Sequence, residues 1–227
     1  MAPVLRPGFP PFPSPRRWRA VLLLALGGLC AGPALAANQS YTLDPVHTRV
    51  AFQVSHAGLS NPLGSFSGVS GTLQFDDQDW AGAHVEVRIP IASLNLGDAH
   101  WQRKILDRTF FDAGKFPEAR FVSTRIEASG EHGATVTGEL TLHGVTAPLT
   151  LQVTLNALKR HPLTLKKTAG FSATGTLSRK AFGIDAWKNL VGDEVKLIIE
   201  AEATRSHDDA ATAATPSEPA EPPHAAQ

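Results

Sequence analysis

Nine histidines and one cysteine are the side chains of this 227-residue chain best suited to proton transfer, nucleophilic attack or metal ligation. Histidine changes charge near neutral pH, which makes it the first candidate for a general acid or base. His47 and His56 flank one run of alternating residues and could share a site. His84 falls on the polar side of its own alternation and His143 precedes a glycine at a turn, so both read as exposed or structural. Glu86 and Glu139 read as outer-face carboxylates. The nearest approach to a Gly-x-Ser-x-Gly nucleophile elbow is Gly170-Phe171-Ser172-Ala173-Thr174, which lacks the closing glycine and looks like a strand. No His-x-His, His-Glu-x-x-His or Cys/His spacing marks a metal site. No glycine-rich phosphate loop precedes a helix. The residues therefore assign no catalytic group, no metal and no cofactor.

The elements that would position any site are strands. In residues 138–155, Leu140 and Leu142 alternate with Glu139 and Thr141, and Leu149, Leu151, Val153 and Leu155 alternate with Thr150, Gln152 and Thr154. Period-2 alternation of this length predicts two half-buried antiparallel strands. His143-Gly144 between them suits a two-residue turn, because glycine accepts a positive φ and histidine tolerates one. Pro148 has no N–H to donate, so its strand is locally at an edge or a bulge. Further strands are predicted at 41–43, 49–56, 83–89, 119–128, 170–178 and 194–204. Residues 58–71 read as a loop passing into one bent, glycine-kinked strand that ends at Leu73 and Phe75. One helix is predicted at 99–106, capped by Asp98, with Trp101 and Ile105 one turn apart on a single face. The fold class is all-β: a closed antiparallel barrel of about eight strands with one short inserted helix. A barrel of that size is just wide enough to be filled by side chains or to hold one slim ligand.

Both ends stand apart from this pattern. Arg16, Arg17 and Arg19 precede an apolar run at 20–29, and Ala34-Leu35-Ala36 offers the small residues a signal peptidase reads. Residues 1–36 are therefore expected to be a cleavable secretory signal, which places the mature protein in the periplasm. Cys30 lies inside that signal, so no thiol or disulfide is expected after cleavage. Residues 205–227 are rich in Ala, Pro and acid and lack large apolar side chains, the composition of a disordered tail. The chain has 21 basic and 21 acidic residues, and removing both ends leaves 16 against 17 in the domain at 37–204. That near balance gives no electrostatic reason to expect a nucleic acid partner.

Five pieces of the domain carry a resemblance to a known family. They are YTLDPVHTRVAFQVSHAGLS at 41–60, GSFSGVSGTLQFD at 64–76, FFDAGKFPEARFVST at 110–124, GELTLHGVTAPLTL at 138–151 and KAFGIDAWKNLVGDEVKLIIEAEA at 180–203. In this order they resemble the YceI family of secreted bacterial proteins. The resemblance implies a lipocalin-like, extended barrel with a long apolar channel that binds polyisoprenoid or similar amphiphilic chains, such as isoprenoid quinones, prenyl phosphates or fatty amides. Alternation places Phe52, Val54, Leu73, Phe121, Leu140, Leu151, Val153 and Phe171 on inward faces, where they would line such a channel or simply pack a core. His56, Phe182, Trp187 and Lys188 would frame its mouth and the ligand head group. Many members carry an Arg-Asp-x-His-Leu-like run in the helix, where this chain has Trp101 and Gln102, so its head-group choice can differ.

The expected function is a periplasmic binding or carrier protein for an isoprenoid lipid. Two alternatives stay open. One is a lipid-modifying enzyme using His47 or His56 inside the barrel. The other is a stress or electron-transfer accessory protein partnering a membrane di-haem cytochrome. Relatives can pair, so a homodimer is also open.

Overall fold

The computed structural model describes residues 38–206. The expected signal, and the expected tail beyond Ser206, lie outside the described residues.

Ten strands and one helix follow the alternation of the sequence. They are β1 (Gln39–Leu43), β2 (Arg49–His56), β3 (Leu63–Phe66), β4 (Ser70–Phe75), β5 (His84–Pro90), α1 (Ala99–Leu106), β6 (Glu118–Ala128), β7 (Gly133–Leu142), β8 (Val145–Arg160), β9 (Lys167–Ser178) and β10 (Val191–Arg205). Short 3-10 turns lie at Ile91–Ser93 and Lys180–Phe182. β10 runs through Arg205, one residue past the domain boundary drawn from composition.

Every pairing is antiparallel, and the ring β1-β4-β5-β6-β7-β8-β9-β10 closes by a β1–β10 pairing. The barrel therefore has eight positions around it. β2 and β1 share one edge of β10: β2 pairs with it from Val191 to Glu200, and β1 from Ala203 to Arg205. They are one barrel strand broken by the Asp44-Pro45 turn. There Asp44 Oδ1 accepts the Val46 N–H at 2.7 Å, and Pro45 has no N–H of its own to leave unpaired. β3 and β4 are likewise two strands, where the sequence suggested one bent strand. The break falls at Ser67-Gly68-Val69, with Gly68 at φ 64°.

The β7–β8 hairpin turns on His143 and Gly144, at φ 53° and 75°, the double positive φ that a tight primed turn needs. Pro148 faces Glu139 of β7, while the β9 pairing of β8 begins only at Leu151. The missing proline N–H thus interrupts no pairing with β9. Register shifts at Ser123/Arg125, Leu155/Ala157 and Val191/Val195 mark bulges that bend long strands around the barrel.

Candidate functional site

The inward faces of the strands do not meet. They enclose a cavity of about 310 Å³, at the lower end of the ~300–1,000 Å³ typical of ligand pockets. All eight residues that alternation turned inward lie on its wall: Phe52, Val54, Leu73, Phe121, Leu140, Leu151, Val153 and Phe171. The space has a local origin in β9, whose inward positions carry only Ala173 and Gly175 between Phe171 and Leu177. Ala173 is flanked across the sheet by Val153 and Ile199, both wall residues.

Aromatic packing closes one end. Phe75 meets Trp80 edge-on at 5.0 Å and Phe171 at 5.4 Å, and Phe75 and Tyr41 are fully buried. Trp80 Nε1 is a buried donor with no acceptor, and the Asn38 Oδ1 acceptor is the other buried side-chain atom without a partner among the described residues. At the other end, α1 lays Trp101 and Ile105 on the wall. Asp98 fixes that helix by accepting the Trp101 N–H at 2.7 Å, as its capping position predicts.

The His56 end of β2 is paired with the Val191 end of β10. His56 and Trp187 are wall residues there. Trp187 is 49% exposed, holds a positive φ of 52° and packs edge-on against Phe110 at 5.5 Å. Leu59, Leu63 and Leu190 are exposed on the neighbouring segments. The other two mouth residues expected from sequence are placed differently. Phe182 is buried and off the wall, because the 3-10 turn at Lys180–Phe182 breaks the strand alternation that would have aimed it. Its carbonyl accepts a hydrogen bond from His143 Nδ1 at 3.1 Å, which ties that turn to the β7–β8 hairpin. Lys188 is exposed, in a shallow surface hollow with Asp185, Asn189 and Leu190.

His47 and His56 do not share a site. They stand at opposite ends of β2, and His47 is exposed outside the cavity, with Nδ1 2.8 Å from Asp44 Oδ2. This pairing raises the His47 pKa and lowers that of Asp44. Glu202 of β10 brings a third potential ligand atom within 4.8 Å. The trio was invisible to motif spacing because Glu202 lies far along the chain from the other two. His84 and Glu86 are outward, as read from sequence. His84 Nδ1 lies 3.3 Å from Ser123 Oγ, and Glu86 accepts from Arg120 at 2.8 Å and Arg88 at 2.9 Å.

Few wall residues are polar: Thr48, Ser55, His56 and Arg179. Thr48 Oγ1 is occupied by the Glu202 main chain. Arg179 is the charged residue that sequence reasoning missed. It is 5% exposed, yet among the described residues no carboxylate lies within ion-pairing distance. Its guanidinium donates instead to four main-chain carbonyls: Gly192 at 2.8 Å, Ile184 at 2.7 Å, Ala186 at 2.9 Å and Val191 at 2.8 Å. Burial pushes its pKa down, opposed by the more distant Asp193 and Asp185, although an arginine stays charged in proteins. No spacing rule announces an arginine whose partners are backbone oxygens.

The pattern of the YceI-like domain matches residues 41–203. The chain belongs to the YceI family. A UPF0312 protein of Pseudomonas savastanoi pv. phaseolicola is 39% identical over 165 residues, covering 73% of this chain and 85% of that protein. Among solved YceI-like folds, Burkholderia cenocepacia BcnA is similar with a TM-score of 0.65 and 28% identity, covering 71% of this chain and 99% of its own. A polyisoprenoid binding domain from Saccharophagus degradans, implicated in plant cell wall breakdown, shares the fold at a TM-score of 0.56 and 16% identity, over 74% of this chain and 99% of that one. The closed eight-position barrel with one helix is thus a YceI fold.

Proposed function

We propose that this protein is a periplasmic carrier for an isoprenoid or similar long-chain amphiphile, held with its chain inside the barrel. The observation that carries this reading is the apolar cavity of about 310 Å³ along the barrel interior. Each methylene moved from water onto such a wall contributes about 0.8 kcal/mol, so chain length, not polar contact, would supply most of the affinity. The polyisoprenoid binding described for the Saccharophagus degradans domain, which has the same fold, supports the same class of cargo. The expected signal at 1–36 supports a periplasmic site of action.

The test is to purify the protein gently from its own host, extract it with organic solvent and identify the extract by mass spectrometry. A stoichiometric prenyl lipid or quinone is the expected result. Val153→Arg should abolish it, because an unpaired charge in an apolar wall strongly disfavours cargo. A folded Val153→Arg protein that keeps its lipid would overturn the channel assignment. Chemically altered lipid in the extract would instead favour an enzyme working at His56.

A further inference from the structure

Among the described residues, Arg179 is the one Lys, Arg, Asp or Glu on the cavity wall. A guanidinium has five N–H donors, and four are used by the carbonyls of Ile184, Ala186, Val191 and Gly192. The fifth, on Nη2, has no acceptor among the described residues. The same Nη2 lies 2.8 Å from the Val191 carbonyl, and Val191 is the cross-strand partner of His56. The wall's cation and its histidine therefore border one residue, Val191.

Neither group has a charged partner among the described residues. Asp193, the nearest candidate counter-ion, is turned to Ser178 Oγ at 2.8 Å and to the Lys180 N–H at 3.0 Å. The His56 side chain makes no hydrogen bond within the described residues, although its main chain is fully engaged in the sheet and turn. A buried cation without a contacting carboxylate is costly unless something else neutralises it. The four carbonyls satisfy its hydrogen-bonding geometry but bring no negative charge.

Resting on the carrier reading above, we propose that the cargo head group is an oxyanion, a phosphate or carboxylate, received at the mouth by the free Nη2–H of Arg179 and by His56. Arginine suits this task because its charge is permanent and its charge-assisted bonds to oxyanions are about twice as strong as neutral ones. The backbone carbonyls hold the guanidinium in place, so the cargo spends no affinity on ordering a flexible side chain. The apolar remainder of the wall takes the chain.

The experiment compares two probes with one chain and different heads: farnesyl monophosphate and farnesol, titrated into delipidated protein at neutral pH. Wild type should bind the phosphate at least tenfold more tightly. Arg179→Gln should bring the two affinities within about threefold, and His56→Gln should reduce the preference partially. If Arg179→Gln does not fold, the wild-type comparison and His56→Gln decide the matter. Equal binding of both probes to wild type overturns the head-group assignment and leaves the carrier reading standing. A preference that survives both substitutions also overturns it. Binding of neither probe overturns the carrier reading itself.

Discussion

Ala173→Leu separates a hollow barrel from a filled one, because the two respond in opposite directions. Ala173 sits in the wall between Val153 and Ile199, and leucine adds three carbon atoms there. In an open apolar cavity each gains about 0.8 kcal/mol on leaving water, so the ligand-free barrel should be stabilised by up to ~2 kcal/mol. Those carbons occupy space that a bound chain needs, so farnesol affinity should fall at least tenfold. A close-packed interior answers differently: extra methylenes force side chains off their rotamers and cost ~1–3 kcal/mol. Urea unfolding of delipidated protein measures the first effect, with an unchanged denaturant slope showing that the same states are compared. Delipidation matters, since bound cargo would add its own stabilisation to the wild type. A destabilised Ala173→Leu protein with unchanged farnesol uptake would refute the reasoning that small residues on β9 create the cavity.

Three other outcomes follow from the geometry. Glu86 is held down to about 2, from an ordinary 4.5, first by Arg120 and then by Arg88. A depressed folded-state pKa contributes stability above the unfolded value that is lost as pH falls. Glu86→Gln should therefore melt below wild type at neutral pH, with the gap closing between pH 4.5 and about 2; a gap independent of pH would contradict the ion-pair account. Gly71→Ala would drive its Cβ into the Glu86 carbonyl oxygen across the β4–β5 pairing. That backbone cannot give way as a side-chain tip can, so a loss of ~1–3 kcal/mol should appear in urea unfolding, and a neutral result would mean that β4 shifts freely. Asp98→Ala removes the acceptor of the Trp101 N–H, which should cost ~0.5–2 kcal/mol and raise hydrogen exchange in α1 ahead of the barrel strands; uniform exchange would show that packing of Trp101 alone holds the helix.

What could be read from the chain, and what could not, divides by the range of the interaction. Alternation is local, so it reached every long strand and turned Phe52, Leu140, Val153 and the others towards the interior. The cap at Asp98 is three residues long and was equally legible. Closure was a weaker inference, because the β1–β10 pairing joins Leu43 to Ala203, and only the count of strands hinted at it. Periodicity stops at Ser178, where β9 ends, and the reasoning that depended on it stopped there too. Phe182 was expected beside Trp187 and is instead buried by a turn with its own geometry. Arg179, at the first position past the strand, could be taken from sequence only as one more surface cation. Its role depends on where four carbonyls from residues 184–192 point, and carbonyl direction leaves no trace in residue type. The charged residue of a largely apolar wall therefore stands where sequence patterns fail, at the start of the irregular segment that follows β9.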